Sequence, residues 1–480
     1  MINIVVMLSR YLMLILMMIY TFSCFSVFSK DRLEDERRVL RRQTILVFLV
    51  HFIAYLVMYL QTFEGWIISF YLAQFILFVL TFVLYSLLYP KLSRLVLNNM
   101  CMLICIGSIM TTRLMGLELT ARKFTFAVAG VAFGLVVPVL IRKIKRFAEW
   151  RWIYGIAGIA ILLAVIAIGF YDMGSWRVLT IAGFSFRPSE FVKISFVFFI
   201  AGSLKENTSF KNVLITSAVA GAHVIILVVS RDLGHGVSFF VIYLVMLYVA
   251  TKQPLYALGG ILGGAGAAVV SYHLFAHVRV RVEAWQDPFT TLGVNPGVDQ
   301  MAQSLFAIGS GGWFGVGLFQ GMPRAIPIVA EDFVFSAIAE EMGILFGLCL
   351  ILVCLSCYVM FLNIAMELRQ SFYKLVALGL GTLYIFQSFL TIGGAIKFIP
   401  STGITLPLVS YGGSSFLSTM IMFGIIQGLY IVREDEESAH SARCAPGTRK
   451  RVQDEKAGQV SGSASKRKGV FEEVPKQRIR

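Results

Sequence analysis

The chain has 480 residues, of which 58% are hydrophobic and only 14% are charged. Soluble proteins are about half apolar and about a quarter charged, so this composition excludes a soluble globular protein. The net charge of +15 would suit a nucleic-acid-binding protein, but the basic residues stand mostly in loops and in the C-terminal tail, as in cytoplasmic segments of membrane proteins. We therefore expect a membrane protein with no nucleic-acid partner.

Thirteen apolar segments are each long enough to cross a hydrocarbon core of about 30 Å. Backbone hydrogen bonds must be satisfied internally in lipid, so these segments are expected to be helices of an all-α polytopic membrane protein. The first of them lacks the features of a cleaved signal peptide and is expected to be retained. The predicted spans cover residues 8–28, 44–62, 66–89, 95–113, 122–142, 152–171, 188–204, 211–230, 235–251, 254–275, 332–362, 372–394 and 411–432.

Three basic clusters set the expected orientation: residues 30–43, residues 142–151 and the tail after Arg433. All three fall on the same side of the membrane under the predicted span count, and that side should be cytoplasmic. The C-terminus is then cytoplasmic and the N-terminus extracellular. The tail, residues 433–480, is polar and without hydrophobic period, which predicts disorder.

The connection 276–331 falls on the outer side and is expected to form a large extracellular loop. It contains six glycines between Gly309 and Gly321, which predict an irregular or re-entrant segment rather than a further span. The glycines of "GGILGGAG" (259–266), at four-residue spacing inside an apolar run, favour close helix packing over a nucleotide-binding loop.

Ionisable side chains are costly in a bilayer and mark candidate functional sites there. Four polar clusters interrupt the apolar segments, and under the predicted topology all four lie at the outer ends of their helices. We therefore expect one polar cavity that opens to the outside, covered by the loop 276–331. The candidate site residues in these clusters are Glu190, Lys193, Asp232, Glu331, Asp332, Glu340, Lys397 and Ser410.

Within the predicted helix 332–362, Asp332, Ser336 and Glu340 follow a four-residue period and should share one face. A carboxylate at the water-accessible end, among apolar residues, suits a general base, and Asp332 has that position. Helix capping is the alternative for Asp332 and for Glu190, since both fall in first turns. Capping explains neither Lys193 nor the shared face.

The same segments resemble the SEDS family (shape, elongation, division and sporulation), which includes RodA, FtsW and SpoVE. The resemblance covers about residues 95–432, leaving residues 1–92 as about three extra N-terminal transmembrane helices before a SEDS-like core at 93–432. Five motifs carry it in the family's order: "RPSEFVKISF", "RDLGHGVSFFVIYLVMLYVA", "QDPF…QSLFAIGSGGWFGVG", "EDFVFSAIAEEMG" and "STGITLPLVSYGGSS".

The resemblance implies a ten-helix glycosyltransferase of the bacterial cytoplasmic membrane, which polymerises lipid II into peptidoglycan strands on the outer face. Its implied role is in cell division, elongation or sporulation, and its implied partners are a class B penicillin-binding protein (a transpeptidase) and other membrane proteins of the divisome or elongasome. The family's essential acid falls on Asp332, and its Pro-Ser-Glu helix supplies Glu190 and Lys193. This chain departs from the family pattern at Arg187 and at Glu331, which leaves open whether Glu331 or Asp332 is the base.

The implied chemistry is an inverting transfer in which Asp332 accepts the proton of the acceptor 4-hydroxyl while a polyprenyl diphosphate leaves. The diphosphate requires positive charge, for which Arg281, Lys397, Arg187 and a divalent cation (Mg²⁺ or Mn²⁺) are candidates. The backbone of 309–312 could form an anion nest or merely provide chain flexibility. The alternatives to an enzyme are a lipid II flippase and a non-catalytic scaffold of the cell-wall machinery; the apolar inner halves of the predicted helices favour the enzyme over a transporter.

Overall fold

The computed structural model describes residues 2–30, 32–168, 170–172, 175–181, 184–289 and 296–444. Three short antiparallel strands, β1 (Phe170–Asp172), β2 (Ser175–Ile181) and β3 (Phe184–Phe186), pair in that order between two helices. The α-helices are α1 (Ile2–Ser26), α2 (Leu33–Thr62), α3 (Gly65–Leu88), α4 (Arg94–Lys143), α5 (Arg151–Ile168), α6 (Ser189–Leu204), α7 (Phe210–Val229), α8 (Leu233–Thr251), α9 (Pro254–Leu274), α10 (Ala276–Gln286), α11 (Pro296–Gly311), α12 (Val334–Met342), α13 (Ile344–Glu367), α14 (Ser371–Ala395) and α15 (Gly413–Cys444).

The helices account for all thirteen predicted spans. Eleven helices of the described residues are long and apolar enough to cross a membrane. The longest of these, α4, contains two predicted spans that meet at Gly116, where the backbone leaves the helical region (φ 72°, ψ −177°). The shorter α6 matches a further span. The prediction of an all-α polytopic protein is therefore confirmed, with α1 to α3 preceding a ten-span core.

The extra N-terminal helices pack on the core through polar as well as apolar contacts, with α1 against α13 and α2 against α4. Two adjacent asparagines of α4 carry these contacts. The Tyr20 hydroxyl donates to Asn99 Oδ1 at 2.9 Å, and Asn98 Nδ2 donates to Gln43 Oε1 at 3.1 Å. Arg10 of α1 donates to the backbone carbonyl of Gly315 at 2.9 Å. Buried hydrogen bonds of this kind hold the additional helices in one register on the core.

The predicted helix 332–362 is two helices in the structure, α12 and α13, and the expectation of a single helix is wrong. Gly343 separates them with a left-handed φ of 93°. The glycine-rich segment after α11 packs so closely here that a Cβ on Gly343 would lie 2.5 Å from the amide nitrogen of Gly315. The Ile344 amide donates to Gly312 O at 3.0 Å, so a helix hydrogen bond is replaced by a tertiary one.

The C-terminal helix also differs from the sequence-based expectation of disorder from residue 433. The compact bundle ends at Ile431, and α15 continues to Cys444. Past the bundle, the mostly buried Arg433 and the exposed Glu437 lie with their charged groups 3.9 Å apart at the helical i,i+4 spacing. Residues 445–480 lie outside the described residues, and their disorder stays a prediction.

A buried lysine joins the two halves of α4 to the loop before α15. The Lys123 ammonium donates to Gly107 O at 2.9 Å, to Thr111 Oγ1 at 2.7 Å and to Val409 O at 2.9 Å. These three acceptors use all three donors of the ammonium. The loop between α14 and α15 is thereby fixed against α4.

The close approach at Gly107 gives the first testable prediction. An added Cβ there would lie 2.5 Å from Leu408 O, which is backbone and cannot move aside easily. We expect Gly107→Ala to lower the free energy of unfolding by about 1–3 kcal/mol, the usual cost of overpacking. Gly221→Ala in α7 is the matched control, because nothing lies within 4 Å of its added methyl. Thermal unfolding in detergent compares the two, and equal midpoints would contradict the prediction.

Candidate active site

A cavity of about 170 Å³ lies among α4, α6, α15 and the segment before α12. Its wall is rich in charged and hydroxyl groups, an unusual lining between transmembrane helices. The lining residues are Arg122, Phe126, Arg187, Glu190, Glu331, Thr405, Tyr411, Gly412, Gly413, Ser414 and Ser415. Of the sequence-predicted residues, Arg187, Glu190 and Glu331 contribute directly to this wall.

The innermost charges of the wall are Glu190 and Lys193, which the start of α6 presents on one face. Both side chains are only 2% exposed, and Lys193 Nζ lies 2.5 Å from Glu190 Oε2. Lys193 also donates to Gln387 Oε1 of α14 at 2.8 Å, while the Ser418 hydroxyl of α15 donates to Glu190 at 3.3 Å. The pair therefore connects three helices at the base of the cavity.

Asp232 lies next to this pair, in the turn before α8. The Ser189 hydroxyl donates to its Oδ2 at 3.2 Å, and the other oxygen lies 2.9 Å from Nδ1 of His235. The second ring nitrogen of His235 lies 3.3 Å from Glu190 Oε1, a charge contact that is not aligned as a hydrogen bond. His235 was not among the predicted site residues, although its i,i+3 spacing from Asp232 was a usable signal.

Glu331 and Asp332 stand in the turn that leads into α12. The backbone amides of both residues donate to the carbonyl oxygen of Ile328. Ile328 itself has a left-handed φ of 55°. The Tyr411 amide donates to Ala330 O at 2.7 Å and so fixes the turn to the loop before α15. The turn places Glu331 at the cavity wall and Asp332 beside Gly403, rather than along the stripe expected for a continuous helix.

Arg187 lies between the two groups of acids. Its guanidinium is 3.7 Å from Glu331 Oε2, and its amide donates to the Ser414 hydroxyl at 2.9 Å. Burial by itself would lower the pKa of Arg187, but the negative charges of Glu331, Asp332, Asp232 and Glu190 outweigh burial and raise that pKa. The Arg187 guanidinium thus interacts with all four carboxylates. These acids come from three separate sequence motifs and form one electrostatic cluster.

Two further predicted residues lie where α10 contacts the loop between α14 and α15: Arg281 is in α10, and Lys397 is in the loop. Arg281 Nη1 donates to Ser401 O at 2.9 Å, and Trp285 Nε1 donates to Lys397 O at 3.1 Å, so α10 lies across this loop. A Cβ on Gly403 would lie 3.5 Å from the Arg281 guanidinium and 3.6 Å from Asp332 Oδ2. Gly403 has a φ of +72° and no side chain. The Arg281 guanidinium and the Asp332 carboxylate can therefore both lie next to it.

Other predicted residues have structural partners away from the cavity wall. The Ser410 hydroxyl accepts from the Leu406 amide at 2.9 Å and closes the loop's own turn. Glu340 Oε1 accepts from the Met322 amide at 2.8 Å at the far end of α12. The amides of residues 309–311 belong to α11, an arrangement that does not favour an anion nest at 309–312.

Glu341 and Arg113 form a second buried ion pair, between α12 and the first half of α4. Arg113 Nη2 and Nε lie 2.8 and 2.9 Å from the same Glu341 oxygen, and the guanidinium also donates to Gly321 O at 3.2 Å. The pair joins the glycine-rich segment to α4. Its structural role was invisible in the sequence because the partners are 228 residues apart.

The geometry of this second pair gives a prediction on stability. Arg113→Lys keeps the charge but loses the planar fork that reaches Glu341 and Gly321 together. We expect it to lower the free energy of unfolding by about 1–3 kcal/mol, as for a buried charged hydrogen bond. Arg38→Lys is the matched control, because its pair with Asp35 is exposed. Thermal unfolding of both variants is the measurement, and an unchanged Arg113→Lys midpoint would count against a structural role for this pair.

The fold and the cavity define a polytopic membrane protein with a cluster of ionisable groups held between its helices. The family model for FtsW, RodA and SpoVE, described as cell cycle proteins, matches residues 86–434. The chain belongs to this family, as the motifs predicted.

The curated relatives are of two kinds. Peptidoglycan glycosyltransferase RodA of Mycobacterium leprae is 32% identical over 348 residues, which cover 68% of this chain and 72% of that protein. Its counterpart in Mycobacterium tuberculosis is 32% identical over 331 residues, covering 64% and 69%. The probable peptidoglycan glycosyltransferase FtsW of Aliivibrio salmonicida is 30% identical over 330 residues, covering 64% and 80%.

Solved structures agree with the fold. A chain from a peptidoglycan synthase complex, described as coordinating polymerization and crosslinking, superposes with a TM-score of 0.61 at 20% identity, covering 72% of this chain and 98% of that one. The rod shape determining protein RodA of Thermus thermophilus superposes with a TM-score of 0.52, at the same identity and coverage. At this level of identity the likeness establishes the shared architecture.

Proposed function

We propose that this protein is a peptidoglycan glycosyltransferase that polymerises lipid II. Family membership and the names of the curated relatives support the activity. The observation that carries the proposal is the cavity, where the Glu331–Asp332 turn faces Arg187 and the buried Glu190–Lys193 pair. Ionisable side chains between transmembrane helices are costly and mark functional sites, and this cluster suits the binding of a polar, charged substrate.

The proposed reaction is one displacement. The acceptor's 4-hydroxyl oxygen bonds to the donor's anomeric carbon while the bond from that carbon to the diphosphate oxygen breaks. The electron pair leaves with the polyprenyl diphosphate, and the hydroxyl proton passes to a carboxylate. Attack opposite the leaving group inverts the anomeric centre.

Asp332 is the proposed base, with Glu331 as the alternative. Glu331 is held 3.7 Å from the Arg187 guanidinium, a cation that favours its ionised form and occupies it. Asp332 Oδ2 lies beside Gly403, as does the Arg281 guanidinium, so the acid and a cation flank the same point. Asp332 also falls on the essential acid of the family motif, and this match supports it as the group that takes the proton.

Positive charge for the leaving diphosphate is proposed to come from side chains around the cavity. Arg122 and Arg187 line it, and Arg281 lies beside Gly403. Lys397 stands on the same loop as Gly403.

Within the described part of the chain, no group of three or more His, Cys, Asp and Glu side chains could hold a metal ion. A divalent cation, Mg²⁺ or Mn²⁺, would therefore be held chiefly by the diphosphate itself; chelation followed by readdition of each metal tests that requirement.

The proposed setting is the outer face of the bacterial cytoplasmic membrane, with the N-terminus extracellular and the C-terminus cytoplasmic. The positive residues of 30–43 and 142–151 support this orientation. A class B penicillin-binding protein is the proposed partner, since a strand polymerase needs a transpeptidase to cross-link its product. The similar fold of a chain from a peptidoglycan synthase complex is consistent with that pairing.

The deciding experiment is reconstitution. Purified protein with a class B transpeptidase is incubated with lipid II, and products are separated on a gel that resolves glycan strands. Polymer is the expected result. Translocation of fluorescent lipid II across vesicle membranes without polymer formation would instead identify a flippase. If the protein shows neither polymerisation nor translocation, a scaffold role is favoured.

A further inference from the structure

His235 stands between two carboxylates at the base of the cavity and has no part in the proposed reaction. Its ring nitrogens lie 2.9 Å from Asp232 Oδ1 and 3.3 Å from Glu190 Oε1, and its side chain is 5% exposed. Imidazole is the side chain whose charge changes most readily near neutral pH. A ring with a carboxylate at each nitrogen is favoured as the imidazolium, which carries a proton on both.

The charges that face His235 come from two sides. Helix α6 presents Glu190 and Lys193, and the turn before α8 presents Asp232. Uncharged groups complete the surroundings of these charges: Gln387 of α14 accepts from Lys193, and Ser418 of α15 donates to Glu190. On the α7 side, Leu227 and Val228 pack against the neighbouring Gly236.

The four ionisable groups balance only when His235 is charged. Two carboxylates then oppose one ammonium and one imidazolium, and no net charge is buried. Loss of the ring proton leaves one net negative charge beside the cavity wall that Arg187 and Glu190 share. An uncompensated buried charge is costly, and the Arg187 guanidinium is a cation on that wall that can move toward it.

We propose that His235 is a positioning residue: as the imidazolium it neutralises Asp232 and Glu190, and so keeps Arg187 directed at Glu331 and the cavity. This inference rests on the proposed glycosyltransferase activity for its effect on rate. Deprotonation draws Arg187 inward and removes positive charge from the diphosphate's side of the cavity. The polymerisation rate should therefore fall on the alkaline side.

The test uses two variants of the full-length protein. His235→Gln removes the titrating charge, and Asp232→Asn/His235→Gln removes one charge of each sign and restores the balance. We expect wild-type polymerisation to decline as the pH rises into the alkaline range, because the ring then loses its proton. His235→Gln should be slower by roughly tenfold to a hundredfold at every pH, as for a displaced catalytic group, and should lack that alkaline decline. The double variant should recover much of the rate and also lack the decline.

A wild-type pH profile in His235→Gln would overturn the inference and leave the proposed function intact. If wild-type protein makes no polymer at any pH, the proposed function fails instead, and thermal unfolding still tests His235. The stability from a charged buried histidine is present at low pH and is lost as the pH rises. The wild-type unfolding midpoint should therefore fall at alkaline pH more than that of His235→Gln, and equal falls would overturn the inference.

Discussion

Asp332→Asn is expected to abolish lipid II polymerisation while the protein still folds. The substitution keeps the size and polarity of the side chain but removes its ability to accept a proton. A positioned general base contributes about 10²- to 10⁴-fold to rate, so the residual activity should lie at or below the detection limit of a gel assay. Initial rates of polymer formation by wild type and variant, with the transpeptidase partner present, are the measurement.

Glu331→Gln is the matched control for Asp332→Asn because it removes the neighbouring charge from the same turn. Glu331 contacts Arg187, so its loss should weaken activity by less than the loss of Asp332. The reverse order would assign the base to Glu331. Full activity in Asp332→Asn would exclude Asp332 as the base, and an unchanged unfolding midpoint is needed to rule out misfolding.

Lys193→Met is expected to lower the stability of the folded protein strongly. The substitution leaves the Glu190 carboxylate 2% exposed with no ammonium beside it. Removing one partner of a buried ion pair costs about 3–5 kcal/mol because the other charge stays buried and uncompensated. The thermal unfolding midpoint of the purified protein should fall sharply, and the yield from membranes should fall with it.

Two further variants test the cause of that loss. Glu190→Gln/Lys193→Met removes both charges and should regain a large part of the lost stability, since a neutral pair carries no desolvation cost. Lys205→Met removes a lysine whose partner Glu206 is 80% exposed, and should change stability by about 1 kcal/mol or less. If Lys193→Met is as stable as Lys205→Met, the pair does not hold the base of the cavity.

The spans and the presence of a polar cluster were predictable from the sequence because both depend on local composition. Apolar runs define spans by length alone. Charged residues inside such runs are rare enough that Glu190, Asp232 and Asp332 were conspicuous individually. The shared membrane face also predicted one common cavity for these acids, but the contact between Glu331 and Arg187 was not predicted.

The parts that could not be predicted depend on contacts between distant segments. The break at Gly343 results from packing against the glycine-rich segment near Gly315, which no local pattern encodes. Likewise Glu340 was assigned to the polar cluster, although it accepts from the Met322 amide at the other end of α12. A carboxylate in an apolar run signals that a partner exists, but the sequence does not reveal which one.

Cysteine labelling tests most directly whether the acid cluster lies in a cavity open to the cell exterior. Asp332→Cys, in a background where the native cysteines are replaced, would be treated in intact cells with a membrane-impermeant maleimide. Glu206→Cys, in the exposed loop between α6 and α7, serves as the cytoplasmic control. Position 332 is expected to react in intact cells, and position 206 only after permeabilisation. Labelling of 206 from outside, with 332 reached only from the cytosol, would contradict it.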